Sequence, residues 1–158
     1  MKISVITVTY NSAKTIADTL DAVAMQTHTD IEHLVIDGAS KDGIVEMVLS
    51  HANPQIRLIS EPDKGIYDAM NKGFTQATGE VIGFLNSDDF YADAAVLAKV
   101  AKAFQDPAVD ACYGDLVYVT QDNSQVMRYW KSKPFTKGDF AKGWCPAHPT
   151  FYVRKSVI

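Results

Sequence analysis

Four short polar clusters hold the residues whose types and spacing could do chemistry. The most pointed is Asp88-Asp89, which directly follows the apolar run Val81-Ile82-Gly83-Phe84-Leu85-Asn86, with Ser87 between. At roughly 4 Å and an effective dielectric near 20, two like charges repel by about 4 kcal/mol. A divalent cation is the simplest partner to cancel that repulsion, so the pair points to metal-assisted chemistry. The other clusters follow apolar runs in the same way: Thr9-Tyr10-Asn11, Asp37-Gly38, and Asp63 within Glu61-Pro62-Asp63-Lys64-Gly65. Taken singly, such residues are ordinary turn and cap formers. Their recurrence after every strand-like run is the stronger signal.

Those runs define the elements that must position the clusters. Ile3 to Tyr10, Glu32 to Ile36, Ile56 to Ile59 and Val81 to Asn86 read as strands, and the unbroken apolar character of the last suits one buried on both faces. Helices are expected over 13–27, 44–51, 66–77 and 93–105, the first capped by Asn11 or Ser12. This alternation predicts an α/β fold with a Rossmann-like, mostly parallel central sheet flanked by helices. After Asp106-Pro107 the pattern changes. Residues 111–119 and 126–130 read as strands flanking a turn at 121–124, a smaller antiparallel element, and a short strand follows at 150–153. The chain reads as a single domain over 1–158, with a ligand-holding half at 1–106 and the start of a second half at 107–158.

Bulk properties narrow the classes. The 158 residues are 47% hydrophobic and 22% charged with net charge −4, which argues against non-specific nucleic-acid binding. Cys112 and Cys145 form no CxxC pair, so a reducing, cytoplasmic setting is expected. No apolar run approaches the ~18 residues of a membrane span; peripheral contact with a membrane is open, though no residue demands it.

In an open α/β sheet ligands bind beyond the carboxyl ends of the strands, where all four clusters fall. A strand-end carboxylate there can accept from a ribose hydroxyl or a nucleobase N–H. Neither GxGxxG nor GxxxxGK[ST] is present, so a Gly-rich turn does not hold the phosphates. A cation on Asp88 or Asp89 would offset a diphosphate instead. If the chain stays extended at this point, the two side chains face opposite ways, one toward ribose and one toward metal.

Thr9-Tyr10-Asn11, the Asp37 to Gly43 turn, Glu61 to Gly73 and Asn86-Ser87-Asp88-Asp89 together resemble the family 2 glycosyltransferases, in particular those that build bacterial cell-surface polysaccharide. The resemblance spans residue 2 to about 158. It implies a GT-A fold, a nucleotide-sugar donor (usually a UDP-sugar), Mg²⁺ or Mn²⁺, and inverting transfer to a saccharide or lipid-linked acceptor. Carried over by position, Thr9, Tyr10, Asn11, Asp37 and Asp63 would hold the nucleoside. Lys64, Asp68 and Asn71 would line the donor pocket, Asn86, Ser87 and Asp88 would face the nucleotide sugar, and Asp89, with Asp88 as a further candidate, would bind metal. Asn86 stands where relatives often carry an acid. On spacing alone, Asp68 and Lys72 read as a solvated i,i+4 pair. His148, in Cys145-Pro146-Ala147-His148-Pro149, is a secondary candidate at the acceptor side. The resemblance places the general base in a segment beyond Ile158, so the chain is expected to be a truncated piece with an incomplete acceptor half. Rival readings are a non-catalytic nucleotide-sugar-binding fragment, a nucleotidyltransferase, which would want a basic Gly-rich loop after the first strand, and a glycoside hydrolase, whose carboxylates must flank a sugar rather than adjoin in sequence.

Overall fold

A computed structural model describes residues 1–120 and 122–158. A six-stranded sheet runs β3-β2-β1-β4-β8-β5, with β1 (Ile3–Thr9), β2 (Ile31–Asp37), β3 (Ile56–Ser60) and β4 (Val81–Phe84) mutually parallel. Beyond β4 the short β8 (Tyr152–Arg154) runs antiparallel and pairs in turn with β5 (Ala111–Cys112). Strands β6 (Leu116–Val119) and β7 (Val126–Trp130) form a separate antiparallel hairpin. The expected α/β architecture with a small antiparallel appendage is what forms.

Every residue of β1 and β2 is buried, because helices cover both faces of the sheet. Side chains alternate along a strand, so each strand feeds two cores. Ile3, Val5 and Val81 pack with Val23 of α1 (Ile16–Ala24) and with Leu97 and Val100 of α4 (Val96–Ala103). Val35 joins Ile16 and Leu20 to Ile44 and Val48 of α2 (Ile44–Ser50). The alternate residues Ile6, Val8, Leu34, Ile36 and Ile82 pack against Ala69 of α3 (Ile66–Gln76).

Several boundaries differ from the reading of the sequence. Helix α1 begins at Ile16, three residues late, because Asn11 has a left-handed φ of 50° and Ser12 gives its carbonyl to the N–H groups of Thr15 and Ile16. Neither Asn11 nor Ser12 caps it through a side chain; Thr15 is the N-cap residue. The strand expected over 111–119 is two strands in two sheets. The break falls at Gly114 and Asp115: the Gly114 carbonyl accepts from Ser132 and Thr150, and the Asp115 carboxylate from Tyr129 and the Ser132 N–H. Thr150 lies in a 3-10 turn, so the last strand starts at Tyr152. Of the turn expected at 121–124, Gln121 lies outside the described residues, and Asn123 takes a left-handed φ of 57°.

Candidate functional site

The register of the parallel strands sets the site. Thr9 pairs with Asp37, and Asp37 with Ser60, so three polar residues end their strands in one row. Beyond that row lies an open cavity of about 1160 Å³. It is walled by Thr9 to Thr15 at the end of β1 and after it, Gly38 and Asp42 after β2, Pro62, Asp63, Gly65 and Ile66 before and into α3, and Asn86 to Asp88 after β4.

The loops are stitched to one another. The Asn11 backbone N–H donates to Ser40 Oγ and the Asn11 side-chain Oδ1 accepts from the Lys41 N–H, at 2.7 and 3.0 Å. Asp42 accepts from the Ala13 N–H at 2.8 Å. Gly38 is needed where it stands: a Cβ there would sit 2.6 Å from Asp63 Oδ2 and 3.2 Å from the Tyr10 ring. The first two loops therefore form one wall, and Asp63 faces it across a gap that only glycine leaves open.

Of the residues singled out from sequence, Thr9, Tyr10, Asn11, Asp63, Asn86, Ser87 and Asp88 line the cavity. Asp37 does not. It is fully buried beneath the wall, its carboxylate accepting from Ser40 N–H, Ser40 Oγ and Ser60 Oγ at 3.1, 2.5 and 2.6 Å. Lys64, Asp68 and Asn71 also lie outside the lining. Asp68 accepts from the Lys64 N–H at 3.0 Å and stands 3.7 Å from Lys72 Nζ, the local pairing that the i,i+4 spacing suggests. Lys72 also meets Glu61 at 3.0 Å.

Reasoning from sequence gave no site role to Asp42, though it quoted the turn that holds it, and placed Ala13, Lys14 and Thr15 in a helix rather than in the cavity wall. The late start of α1 keeps those residues in a loop at the sheet's carboxyl edge, whereas a helix from 13 would have carried them away.

The two adjacent acids sit in a turn, not in extended chain. Asp89 N–H donates to Asn86 O at 3.0 Å, and Thr19 Oγ1 holds the Asp89 carbonyl at 2.8 Å. Asp88 is exposed into the cavity, while Asp89 is partly buried behind it and accepts from the Asn86 amide at 3.1 Å. The separation into two directions thus arises from the turn rather than from strand alternation. Burial and the neighbouring Asp88 charge raise the Asp89 carboxyl above its ordinary range, opposed by the Asn86 hydrogen bonds and by His148. His148 lies against the ring of Phe84, centroids 5.7 Å apart, at the end of β4.

Two buried polar atoms of the lining have no partner among the described residues: Thr9 Oγ1 and Asn86 Oδ1. Unpaired buried polar groups are rare in folded chains, and a binding cavity is where they are satisfied by what binds. Among the described residues no cluster of three His, Cys, Asp or Glu side chains forms a complete metal site. The oxygen donors Asp88, Asp89 and Asn86 Oδ1 nonetheless suit a hard cation that draws its other ligands from a phosphate group.

Comparison with known proteins gives a consistent picture. A family model described as glycosyl transferase family 2 matches residues 4–153. An uncharacterized glycosyltransferase of Nostoc sp. is 36% identical over 100% of this chain and 52% of its own length. A PGL/p-HBAD biosynthesis glycosyltransferase of Mycobacterium bovis is 39% identical over 72% of this chain and 46% of its own. The chain thus spans about half the length of the curated relatives it matches. Among solved structures, the mannosyltransferase PcManGT of Pyrobaculum calidifontis, in complex with GDP-Man and Mn²⁺, superposes with a TM-score of 0.66 at 30% identity, over 72% of this chain and 35% of that one. S. aureus TarS in complex with UDP-GlcNAc superposes with a TM-score of 0.74 at 22% identity, over 99% of this chain and 46% of that one, a likeness of fold.

Proposed function

Since this chain belongs to glycosyl transferase family 2, with a GT-A fold, we propose that its cavity holds a nucleotide-sugar donor for transfer of the sugar to a saccharide or lipid-linked acceptor in cell-surface polysaccharide synthesis. The observation that carries this is the meeting of Thr9, Asp63, Asn86 and Asp88 on one cavity whose lining leaves two polar atoms unpaired. The GDP-Man and Mn²⁺ of the archaeal mannosyltransferase support the same donor class, and UDP-sugars are the first to test.

Thr9 Oγ1, Asn11 and Asp63 bind and orient the nucleoside against the exposed ring of Tyr10. Asp37 serves from beneath, fixing Ser40 and through it the Asn11 backbone. Lys14 is the cation of the cavity wall, set to meet phosphate oxygens. Lys64 and Asp68 act by shaping the start of α3, where the Lys64 N–H meets the Asp68 carboxylate, and Asn71, outside the cavity lining, is given no contact with the donor. Mg²⁺ or Mn²⁺ would be held by Asp88 and Asp89 with Asn86 Oδ1, and when bound supplies positive charge that stabilises a departing diphosphate. An inverting displacement also needs a base for the acceptor proton. His148 is the candidate within these residues, and the acceptor side is proposed to be completed outside them. A cytoplasmic location is proposed with the nucleotide-sugar donor. No helix among the described residues is long and apolar enough to cross a membrane.

The test is thermal stabilisation by UDP and GDP with and without Mn²⁺, followed by transfer from a radiolabelled nucleotide sugar. Metal-dependent stabilisation that disappears in Asp88→Ala or Asp89→Ala supports donor binding. No shift with any nucleotide refutes it, and a shift without transfer leaves a binding module.

A further inference from the structure

Charge is unevenly distributed along this chain. Residues 126–144 hold Arg128, Lys131, Lys133, Lys137 and Lys142 against the single acid Asp139, leaving ten cations against eighteen acids elsewhere. The same stretch carries exposed apolar bulk: Phe135 is 48% accessible and Phe140 57%, while Met127 and Tyr129, which alternate with Arg128 and Trp130 along β7, are exposed on the hairpin's other side. Phe135 packs at a tilt against Phe140 and Trp144, and Phe140 meets Trp144 edge-on, with centroids 5.3 to 5.6 Å apart; Trp144 in turn meets Tyr113 edge-on at 5.4 Å. The aromatic group is thus a packed cluster held at the surface. A shallow depression of about 280 Å³ joins it to the β6–β7 hairpin, walled by Trp130 and Trp144 with Lys131 and Lys133 between. Arg128 lies over the rings of Tyr118 and Trp130, keeping its charge beside the aromatics.

From this we infer that the face formed by residues 126–144 docks on an anionic phospholipid bilayer. Lysines flanking exposed aromatic rings are the pattern that sits at a membrane–water interface, rings at headgroup depth and ammonium groups near lipid phosphates. Each Lys or Arg near such a surface adds an attraction that salt screens. Repulsion between the remaining acidic surface and the same bilayer would fix which side faces the lipid. Nucleic acid is the less suitable partner, since the net charge of −4 opposes it and Met127 and Phe140 have no role there. The inference does not rest on donor binding, because vesicle association requires neither nucleotide nor metal.

Flotation of the chain with phosphatidylglycerol-containing vesicles, against phosphatidylcholine alone, tests it. Binding is expected to the anionic vesicles only, to weaken with salt, and to shift the emission of Trp130 and Trp144 to the blue. Lys131→Glu/Lys133→Glu/Lys137→Glu is expected to lower partitioning at least about tenfold. Phe135→Ser/Phe140→Ser should lower it at every salt concentration, and Lys99→Glu, on the opposite side of the sequence's charge division, should not. Melting curves confirm that each variant folds, and the exposed lysine variant keeps the test valid if the aromatic one does not. Absence of vesicle binding overturns the inference. So does undiminished binding by the triple variant, preference for duplex DNA over vesicles, or self-association through this face in place of lipid binding.

Discussion

The side-chain amide of Asn86 donates to the Asp89 carboxylate at 3.1 Å, so a neutral residue steadies the inner of two adjacent acids. The Asn86 side-chain oxygen Oδ1 is buried without a partner among the described residues. Asn86→Asp removes the donor and sets a third carboxylate beside Asp88 and Asp89. The metal-free variant is expected to melt earlier, by about 1–3 kcal/mol, and to regain stability with Mn²⁺ more steeply than the parent. Melting curves across a Mn²⁺ series decide it; an unchanged metal-free melting point would show that the Asn86 contact contributes nothing.

Asp89 itself gives a prediction with a sign. Burial and Asp88 raise its proton affinity in the folded chain. A group whose folded pKa is raised stabilises the fold while protonated and loses that contribution as pH rises through the folded value. At neutral pH the ionised form is therefore a strain on the metal-free chain. Asp89→Asn should raise the melting temperature without metal and abolish the further rise with UDP and Mn²⁺. A variant less stable than the parent at neutral pH would contradict this.

Asp37 and Asp63 separate support from contact. Asp37 is fully buried with three acceptor bonds, so Asp37→Ala strands Ser40 and Ser60 and should destabilise by about 3 kcal/mol. Asp63 lines the cavity and is bound locally to the Gly65 N–H. Asp63→Ala should leave stability within about 1 kcal/mol and weaken UDP binding, measured by calorimetry. Equal loss of stability in both would remove the distinction.

The contrast between these residues shows what sequence alone could carry. The β-branched runs and the polar residue ending each one made the parallel sheet and its cavity-bearing edge legible, because strand burial and strand-end polar groups follow from local pattern. Which strand-end acid faces outward did not, since Asp37 and Asp63 look alike until Ser40 and Ser60 fold over one of them. The 12–15 loop was hidden by Ala13 and Lys14, good helix formers whose propensity is overridden by the left-handed Asn11 and its bonds to Ser40 and Lys41. Splitting of the 111–119 strand was hidden likewise, because Ser132 and Thr150, which hold Gly114, are distant in sequence.

Gly83 tests the packing behind the site. It lies in β4 opposite Tyr152 of β8, and a Cβ there would come within 2.2 Å of the Tyr152 ring. That ring is buried and its hydroxyl meets the Tyr91 hydroxyl at 2.6 Å, so it has no free direction of retreat. Gly83→Ala should cost about 3 kcal/mol or more, read from urea unfolding. Gly83→Ala/Tyr152→Phe should not recover it, because the clash is with ring carbons; full recovery would place the conflict in the hydroxyl pair.

His33 sets the acid limit of the fold. It is completely buried on β2, with Nε2 2.9 Å from Thr7 Oγ1 and Nδ1 lacking a partner among the described residues. Burial, with a lesser contribution from His51, lowers its pKa from 6.5 to about 3. The unfolded chain therefore binds a proton that the folded chain refuses between those values. Stability should fall by about 1.4 kcal/mol for each pH unit below about 6.5, levelling near pH 3. Glu32 loses stability in a lower window: burial alone would raise its pKa, but hydrogen bonds from Ser4 and Thr78 and the Lys2 charge bring it below its ordinary 4.5. Between about pH 5 and 6.5 the histidine is read, by chemical denaturation, as the difference in slope between the parent and His33→Gln, since the raised Asp89 carboxyl contributes a slope of opposite sign. His33→Gln keeps a polar partner for Thr7 without a titrating ring, and should flatten the slope there by about 1.4 kcal/mol per pH unit. Equal slopes in parent and variant across that window would show that water reaches His33 and lets it charge in place.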